Sequence, residues 1–174
     1  MVVFVTGFMG VGKSGTAKKL AGRLRYAFLD SDLEIEKKAG MSVQEIFNTH
    51  GEMAFREMEH QWLKNLDVRD TIVALGGGAA CTSLNASLVK SKGKSIYLSM
   101  PVLMIADRLM HSKHPRPLIA SLNTRESLIQ YIEKKLEERI PFYSSADFTF
   151  DAMDKNLVDK ICRSVQTLKP LASD

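Results

Sequence analysis

Residues Gly7 to Ser14 have the residue types and spacing of a phosphate-binding loop. The pattern Gly7-x-x-x-x-Gly12-Lys13-Ser14 follows an apolar, β-branched run at residues 2–5, which predicts a buried strand. Glycines let backbone N–H groups approach phosphate oxygens, Lys13 supplies a positive charge, and the Ser14 hydroxyl can ligate Mg²⁺. The alternative is a glycine-rich turn that binds nothing. The position between a strand and a helix beginning at Lys13 favours a nucleoside triphosphate site.

The rest of the chain must hold this loop, and its hydrophobic periodicity predicts alternating strands and helices. Strands are predicted at residues 2–5, 26–30, 71–75, 95–99 and 147–150. Helices are predicted at residues 13–24, 33–39, 42–47, 52–66, 84–89, 101–109, 124–139 (ending before Pro141) and 157–168. This order predicts an α/β fold with a parallel sheet covered on both faces, formed by residues 1–174 as one domain. Residues 110–123 lack a period and are the candidate for a mobile lid.

Asp30 and Asp32 follow the second predicted strand directly. Two residues apart on an extended backbone, they are expected to face the same side. One carboxylate can hold the water shell of a metal while the other positions a substrate hydroxyl or accepts its proton. The alternative is a helix N-cap with a first-turn acid. The neighbouring phosphate loop favours the functional interpretation.

Three consecutive glycines, residues 76–78, follow the third predicted strand. Such a run is costly in chain entropy, so it indicates a place where a ligand approaches backbone amides closely, although a plain turn is the alternative. Ligands of parallel sheets bind beyond the carboxyl ends of the strands. We therefore expect these glycines, the phosphate loop, the two aspartates and the region around Pro101, which follows the fourth predicted strand, to line one crevice.

Arginines are the candidate binders of anionic groups. Arg56 lies on a predicted helix with Glu59 three residues later. This pair is either a surface ion pair of little energy or an arrangement in which Glu59 orients the Arg56 fork towards a substrate carboxylate. Arg116 lies in the candidate lid and Arg139 ends a predicted helix. Each is a surface residue by default, but together they fit an anionic substrate and a transferring phosphate.

Composition excludes several other classes of protein. The 174 residues are 45% hydrophobic, and no apolar run is long enough to cross a bilayer. The net charge of +4 is mildly basic, without the basic runs or aromatic platforms of nucleic-acid binding proteins. Cys81 and Cys162 lack the spacing of metal ligands and are expected to be reduced thiols of a cytoplasmic protein. We expect no membrane or nucleic-acid partner.

The motifs together resemble those of the shikimate kinase family over nearly the whole chain. The matching segments, in the order and spacing of that family, are Gly-Phe-Met-Gly-Val-Gly-Lys-Ser at 7–14, Leu-Asp-Ser-Asp at 29–32, Phe55-Arg56 with Glu59, the glycines at 76–78, Arg-Pro-Leu at 116–118 and Arg-Ile-Pro-Phe-Tyr at 139–143. The resemblance implies a three-layer α/β/α fold of the nucleoside-monophosphate-kinase type with a five-stranded parallel sheet. It also implies Mg²⁺-dependent transfer of the ATP γ-phosphate to the 3-hydroxyl of shikimate, in the pathway to chorismate and the aromatic amino acids. The usual state of the family is a monomer.

The resemblance also implies a role for each matching residue. The expected ATP site is formed by Gly10, Val11, Gly12, Lys13, Ser14, Gly15, Arg108, Arg116 and Lys155. The expected shikimate site, within a helical region at about 31–62 and beyond it, is formed by Asp32, Arg56, Gly77, Gly78 and Arg139. Lys13, Asp32 and Arg116 are the implied catalytic residues, and Ser14 and Asp30 are the implied holders of Mg²⁺.

One departure from the family pattern bears on function. Threonine usually follows the serine of the loop, but here residue 15 is glycine. The missing hydroxyl normally bonds the α-phosphate, so weaker ATP binding is expected rather than inactivity. Two alternatives stay open, a gluconate-type small-molecule kinase and a non-catalytic nucleotide-binding module that regulates a partner. A GTPase is disfavoured, because no Asn-Lys-x-Asp signature is present.

Overall fold

Five parallel strands form a single sheet in the computed structural model, which describes residues 1–112, 117–122 and 124–168. The strands are β1 (Val2–Thr6), β2 (Ala27–Asp30), β3 (Thr71–Ala74), β4 (Lys94–Ser99) and β5 (Phe148–Asp151). Their order across the sheet is β2-β3-β1-β4-β5, and every neighbouring pair is parallel. The expected α/β class and five-stranded parallel sheet are confirmed.

Seven α-helices connect and cover the strands within the described ranges. They are α1 (Lys13–Leu24), α2 (Ser31–Ala39), α3 (Val43–Lys64), α4 (Ser83–Lys92), α5 (Val102–Met110), α6 (Arg125–Tyr143) and α7 (Leu157–Gln166). A 3₁₀ turn, Pro117–Ile119, lies in the segment expected to be a lid. None of the helices in the described part of the chain is both long and apolar enough to cross a membrane.

The larger core lies on one face of the sheet. Alternate strand residues such as Val5 and Ile96 are fully buried there, because successive side chains of a strand point to opposite faces. They pack with Leu20 of α1, Ile132 of α6 and Ile161 of α7. These helices therefore form the layer on this face of the sheet, and α6 of this layer carries Arg139.

The opposite face has a smaller core, in which Phe4 and Val73 pack against Leu63 of α3. A third cluster joins Ile35 of α2 to the first half of α3. Helices on both faces complete the three layers. The two clusters anchor α2 and α3 beside the carboxyl ends of β2 and β3, where the expected crevice lies.

The structure corrects three local predictions. Helix α2 begins at Ser31, two residues earlier than predicted, because Asp30 caps it by accepting a bond from the Asp32 N–H at 3.1 Å. The helices predicted at 42–47 and 52–66 run into each other as α3, with a break at Gly51, whose φ of 79° and ψ of 171° are not helical.

The third correction concerns the end of α6. The helix was predicted to stop before Pro141 but continues to Tyr143. Proline removes one hydrogen bond from a helix interior, and here it falls in the last turn. Buried contacts of Arg139 and Tyr143, four residues apart on one face, hold that turn together.

Two glycines provide a test of the packing around the sheet. A Cβ on Gly93 would collide with the backbone carbonyl of Val2, whereas a Cβ on Gly22 of α1 would meet nothing within 4 Å. We expect Gly93→Ala to lower the free energy of unfolding by about 1–3 kcal/mol and Gly22→Ala to raise it by about 0.5–1 kcal/mol. Urea unfolding measures both, and equal effects of the two variants would contradict the described contact.

Candidate active site

The phosphate loop connects β1 to α1 in a conformation that depends on glycine. Gly7 has a φ of 142°, and a Cβ there would lie 2.7 Å from the carbonyl oxygen of Leu98. Gly12 caps α1 in the left-handed region, with a φ of 95°. Lys13 donates from Nζ to the carbonyl oxygen of Phe8 at 3.0 Å. The loop therefore wraps around the side chain of its own lysine, at the positive end of the α1 dipole.

Two aspartates face the loop from the end of β2. The Ser14 hydroxyl donates to Asp30 Oδ2 at 2.5 Å. Asp32 lies in the first turn of α2 rather than on extended backbone, but it still faces the same crevice. Its Oδ1 is buried without a hydrogen-bond partner among the described residues. Burial and repulsion from Asp30 raise the pKa of Asp32, and this rise is opposed by Lys13 and Arg56.

Arg56 is held by two glutamates of its own helix. It donates from Nη1 to Glu59 Oε2 at 2.6 Å and from Nη2 to Glu52 Oε1 at 2.8 Å. The Glu59 side chain is 1% exposed, and that of Glu52 is 50% exposed. The pair of Arg56 and Glu59 is therefore not a surface ion pair, and Glu59 fixes the guanidinium as the second sequence-based alternative expected.

Burial of Glu59 has a marked electrostatic consequence. Desolvation raises the pKa of this carboxyl to about 7, because attraction to Arg56 offsets the cost of burial only in part and Asp32 adds repulsion. Desolvation would lower the pKa of Arg56, but Glu59 and Glu52 raise it above its usual value. Arg56 therefore stays charged, while Glu59 exchanges its proton near neutral pH.

The three glycines after β3 bring these groups together. A Cβ on Gly76 would lie 2.5 Å from Asp32 Oδ1 and 2.7 Å from Glu59 Oε1, and one on Gly78 would lie 2.7 Å from Arg56 Nη1. The Gly76 N–H donates to the buried Ser31 hydroxyl at 2.8 Å. A side chain at either position would displace a charged group, which explains why residues 76 and 78 are glycines.

Arg139 reaches the same glycines from α6. It donates from Nη1 to the Gly77 carbonyl oxygen at 3.2 Å, and its guanidinium lies 5.4 Å from the centre of the Phe8 ring. The residue is 7% exposed. Arg139 is thus a buried cation beside the phosphate loop and not the surface residue that it would be by default.

These groups line one cavity of about 760 Å³ at the carboxyl ends of the strands. The expected site residues on its wall are Gly10, Gly12, Lys13, Ser14, Gly15, Asp30, Asp32, Arg56, Gly77, Gly78 and Arg139. The expected convergence of the loop, the aspartates and the glycines on one crevice is therefore confirmed, whereas the region around Pro101 is not on its wall. No cluster of three or more metal-ligating side chains occurs within the described ranges.

Three of the expected site residues that the structure describes are not on the cavity wall. Val11 is buried, and its carbonyl oxygen accepts a 3.4 Å bond from Arg108 Nη1, so Arg108 lies against the outer side of the loop. Lys155 is exposed and follows Met153, whose sulfur Arg108 also contacts at 3.5 Å. Arg116 lies outside the described residues.

Sequence reasoning did not name the side chains of a second wall of the cavity. Helix α2, the start of α3 and the 3₁₀ turn contribute Leu33, Glu36, Ser42, Val43, Gln44, Phe47, Pro117 and Leu118. The resemblance assigned a helical region at about 31–62 to the acceptor and matched residues 116–118, but neither signal singled out these side chains. The Tyr143 hydroxyl, which bonds the Gly77 carbonyl oxygen, was also missed.

A phosphate loop that shares a cavity of about 760 Å³ with carboxylates and arginines, among them the buried Glu59 and Arg139, is typical of P-loop kinases that phosphorylate small molecules. The family model described as shikimate kinase matches residues 9–168. A shikimate kinase from Parabacteroides distasonis is 38% identical over 151 residues, which are 86% of this chain and 87% of that protein. The chain belongs to the shikimate kinase family, whose members are ATP-dependent phosphotransferases.

Solved structures agree with this assignment. The shikimate kinase of Bacteroides thetaiotaomicron superposes with a TM-score of 0.86 at 31% identity, covering 97% of each chain. The shikimate kinase of Acinetobacter baumannii in complex with shikimate also has a TM-score of 0.86, at 33% identity, covering 97% of this chain and 95% of that one. A gluconokinase from Sinorhizobium meliloti, at 19% identity and a TM-score of 0.56, shares the fold.

The raised pKa of Glu59 predicts a pH-dependent stability. Between its usual value of 4.5 and about 7, the folded protein binds more protons than the unfolded chain, so stability decreases as the pH rises. Relative to Glu59→Gln, we expect the wild-type protein to lose up to about 3 kcal/mol of unfolding free energy over this window. Urea unfolding at several pH values measures the difference. Glu52→Gln is the matched control. If the difference in unfolding free energy between the wild-type protein and Glu59→Gln does not vary with pH, the raised pKa is contradicted.

Proposed function

We propose that this protein transfers the γ-phosphate of ATP to the 3-hydroxyl of shikimate, giving shikimate 3-phosphate and ADP, in the pathway to chorismate and the aromatic amino acids. The observation that carries the proposal is the meeting of Arg56, Arg139 and Asp32 in the cavity that contains the phosphate loop. Two cations, the buried Arg139 and the half-buried Arg56, suit a carboxylate, and the half-buried carboxylate of Asp32 beside them suits a hydroxyl. The membership of the family supports the same reaction.

The acceptor is bound by the half of the cavity away from the loop. Arg56 and Arg139 form charge-assisted hydrogen bonds with the carboxylate of the ring, since each presents N–H groups beyond those used within the protein. The backbone at Gly77 and Gly78 contacts the ring closely, because no side chain intervenes. Residues 31–62 form most of this acceptor-binding region.

Asp32 positions the attacking hydroxyl. Its Oδ1 has no hydrogen-bond partner among the described residues, so it is available to accept a bond from the substrate. The raised pKa of Asp32 suits a group that receives the hydroxyl proton at Oδ1 as the new P–O bond forms. The hydroxyl oxygen attacks the γ-phosphorus, and the bond between this phosphorus and the β,γ-bridging oxygen breaks to give ADP.

The donor is bound by the phosphate loop. The backbone N–H groups of residues 10–15 and the dipole of α1 stabilise the phosphates of ATP. Lys13 Nζ moves from the Phe8 carbonyl oxygen to the β- and γ-phosphates and neutralises the charge that develops during transfer. Arg108 contacts the adenine beside the loop, with Lys155 near the same base. Arg116 contributes a positive charge at the phosphates when the lid at residues 110–123 closes.

Two oxygen donors fit the expected Mg²⁺. The Ser14 hydroxyl and Asp30 Oδ2 lie 2.5 Å apart on the cavity wall, and hard oxygen ligands with retained waters are what Mg²⁺ prefers. Ser14 would ligate the ion, and Asp30 would hold its water shell. When bound, Mg²⁺ would supply positive charge that offsets the negative charge of the phosphates during transfer. Two protein donors would suffice, because Mg²⁺ sites in phosphate-transferring enzymes commonly use one or two protein ligands with substrate phosphates and waters.

We also propose a monomeric, cytoplasmic protein that folds as one domain over residues 1–174. Cys81 and Cys162 are free thiols, which suits a reducing compartment. The crevice combines donor and acceptor sites on one chain, so a second subunit is not needed to complete it.

The proposal is tested by ADP release from Mg-ATP, with shikimate as acceptor, with gluconate as a control acceptor, and with neither. We expect turnover to require shikimate. Asp32→Ala should abolish most of it, and Arg56→Ala should lower kcat/KM about 10²–10³-fold, because about 3–4 kcal/mol of charge-assisted bonding is lost. Arg23→Ala is the matched control, since Arg23 pairs on the surface with Asp159.

Other outcomes would contradict this function in distinct ways. Turnover with gluconate alone would indicate a different acceptor on the same fold. ATP binding without turnover on either compound would indicate a regulatory module, for which Gly15 offers the explanation.

The Gly15 position allows a test of the donor site. A Cβ at Gly15 would meet nothing within 4 Å, so threonine fits there without displacing a neighbour. We expect Gly15→Thr to lower the KM for ATP about two- to tenfold, corresponding to one added hydrogen bond of about 0.5–1.5 kcal/mol. Gly15→Ala is the control, because it raises helix propensity without a hydroxyl. An unchanged KM in Gly15→Thr, or an equal decrease in Gly15→Ala, would contradict the missing bond.

A further inference from the structure

The Gly77 carbonyl oxygen is the meeting point of two donors from α6. Arg139 Nη1 donates to it at 3.2 Å, and the Tyr143 hydroxyl donates to the same oxygen. These residues are four apart, so they lie on one face of the helix. The Cys81 thiol adds a weak contact with this oxygen at 3.8 Å. A single backbone carbonyl thus links α6 to the glycine run.

The Tyr143 side chain is buried and held on both its ring and its hydroxyl. The residue is 2% exposed, and its ring stacks on that of Tyr97 with centroids 4.9 Å apart and planes inclined by 14°. Burial raises the pKa of the Tyr143 hydroxyl above its usual range, so the group stays a neutral donor at every physiological pH. The continuation of α6 through Pro141 is what places the hydroxyl at the glycine run.

We propose that Tyr143 is a positioning residue for acceptor binding, which fixes the Gly77 carbonyl and thereby the guanidinium of Arg139. The inference rests on the proposed function, since it concerns the carboxylate-binding arginine. Arg139 has one hydrogen bond to Gly77 and a face on the Phe8 ring as its anchors. If the Tyr143 hydroxyl is removed, Arg139 is the remaining strong donor to the Gly77 carbonyl oxygen. The guanidinium then shifts towards this oxygen, and its hydrogen bonds to the substrate carboxylate weaken.

The effect should be confined to the acceptor. The atoms of the phosphate loop nearest to the position of a Gly77 Cβ are backbone atoms, Met9 N at 3.2 Å and the Gly7 carbonyl oxygen at 3.7 Å. The loop itself is fixed by β1 and by the bond from Lys13 to Phe8. Displacement of Arg139 therefore changes the binding of shikimate and leaves that of ATP nearly unaltered.

The test is Tyr143→Phe, which keeps the stacked ring and removes the hydroxyl. We expect the KM for shikimate to rise about two- to tenfold, the range for one hydrogen bond, with the KM for ATP and kcat changed less than twofold. Tyr97→Phe is the matched control, because it removes the hydroxyl of the other stacked ring, which makes no hydrogen bond to the described residues. It should leave both KM values unchanged.

A double-mutant cycle distinguishes positioning from general support of the fold. If Tyr143 acts through Arg139, then Tyr143→Phe should have little further effect on shikimate binding in the Arg139→Lys protein, measured by calorimetry. Additive effects, an equal rise in both KM values, an unchanged KM for shikimate or a Tyr143→Phe protein that does not fold would each overturn the inference. Absence of shikimate turnover in the wild-type protein would instead overturn the proposed function.

Discussion

The site depends on a stretch of backbone without side chains. Glycines 76–78 leave space for charged groups from separate helices to approach the same strand end. The first glycine faces Asp32 and Glu59, the second accepts a hydrogen bond from Arg139, and the third lies against Arg56. A Cβ at the first or third would lie within 2.7 Å of a charged atom. The cavity therefore requires these glycines, although ordering them costs more conformational entropy than ordering other residues.

Charge in this cavity is arranged for binding rather than for stability. Asp32 and Glu59 each have a buried oxygen without a partner among the described residues, and burial raises the pKa of both. Buried ion pairs contribute little net stability, because desolvation offsets attraction. Arg56 and Arg139 compensate these carboxylates in part and keep donors directed into the cavity. Such unsatisfied buried groups are what a charged, hydroxylated substrate would satisfy.

Features encoded locally were predictable, and features that depend on tertiary contacts were not. The phosphate loop and the strand at Thr71–Ala74 follow from glycine spacing and β-branched runs. The break at Gly51 was implied by a gap between two helical patterns. The predicted end of α6 is wrong because the prediction treats Pro141 as a helix terminator. The helix continues because Tyr143 is held by a hydrogen bond to distant backbone. No local pattern reports a hydrogen bond between residues 66 positions apart.

The division of the cavity explains why the phosphate loop alone cannot specify the acceptor. The loop and α1 bind features common to every nucleoside triphosphate, and a gluconokinase at 19% identity shares the fold. In the proposed function, selectivity resides in the opposite wall, to which α2, α3, α6 and the glycine run contribute. There, Arg56 is fixed by two glutamates of its own helix, and Arg139 is fixed by backbone and an aromatic ring. Rigid cations lose little entropy when they bind a carboxylate, so their placement discriminates between acceptors more strongly than their charge does.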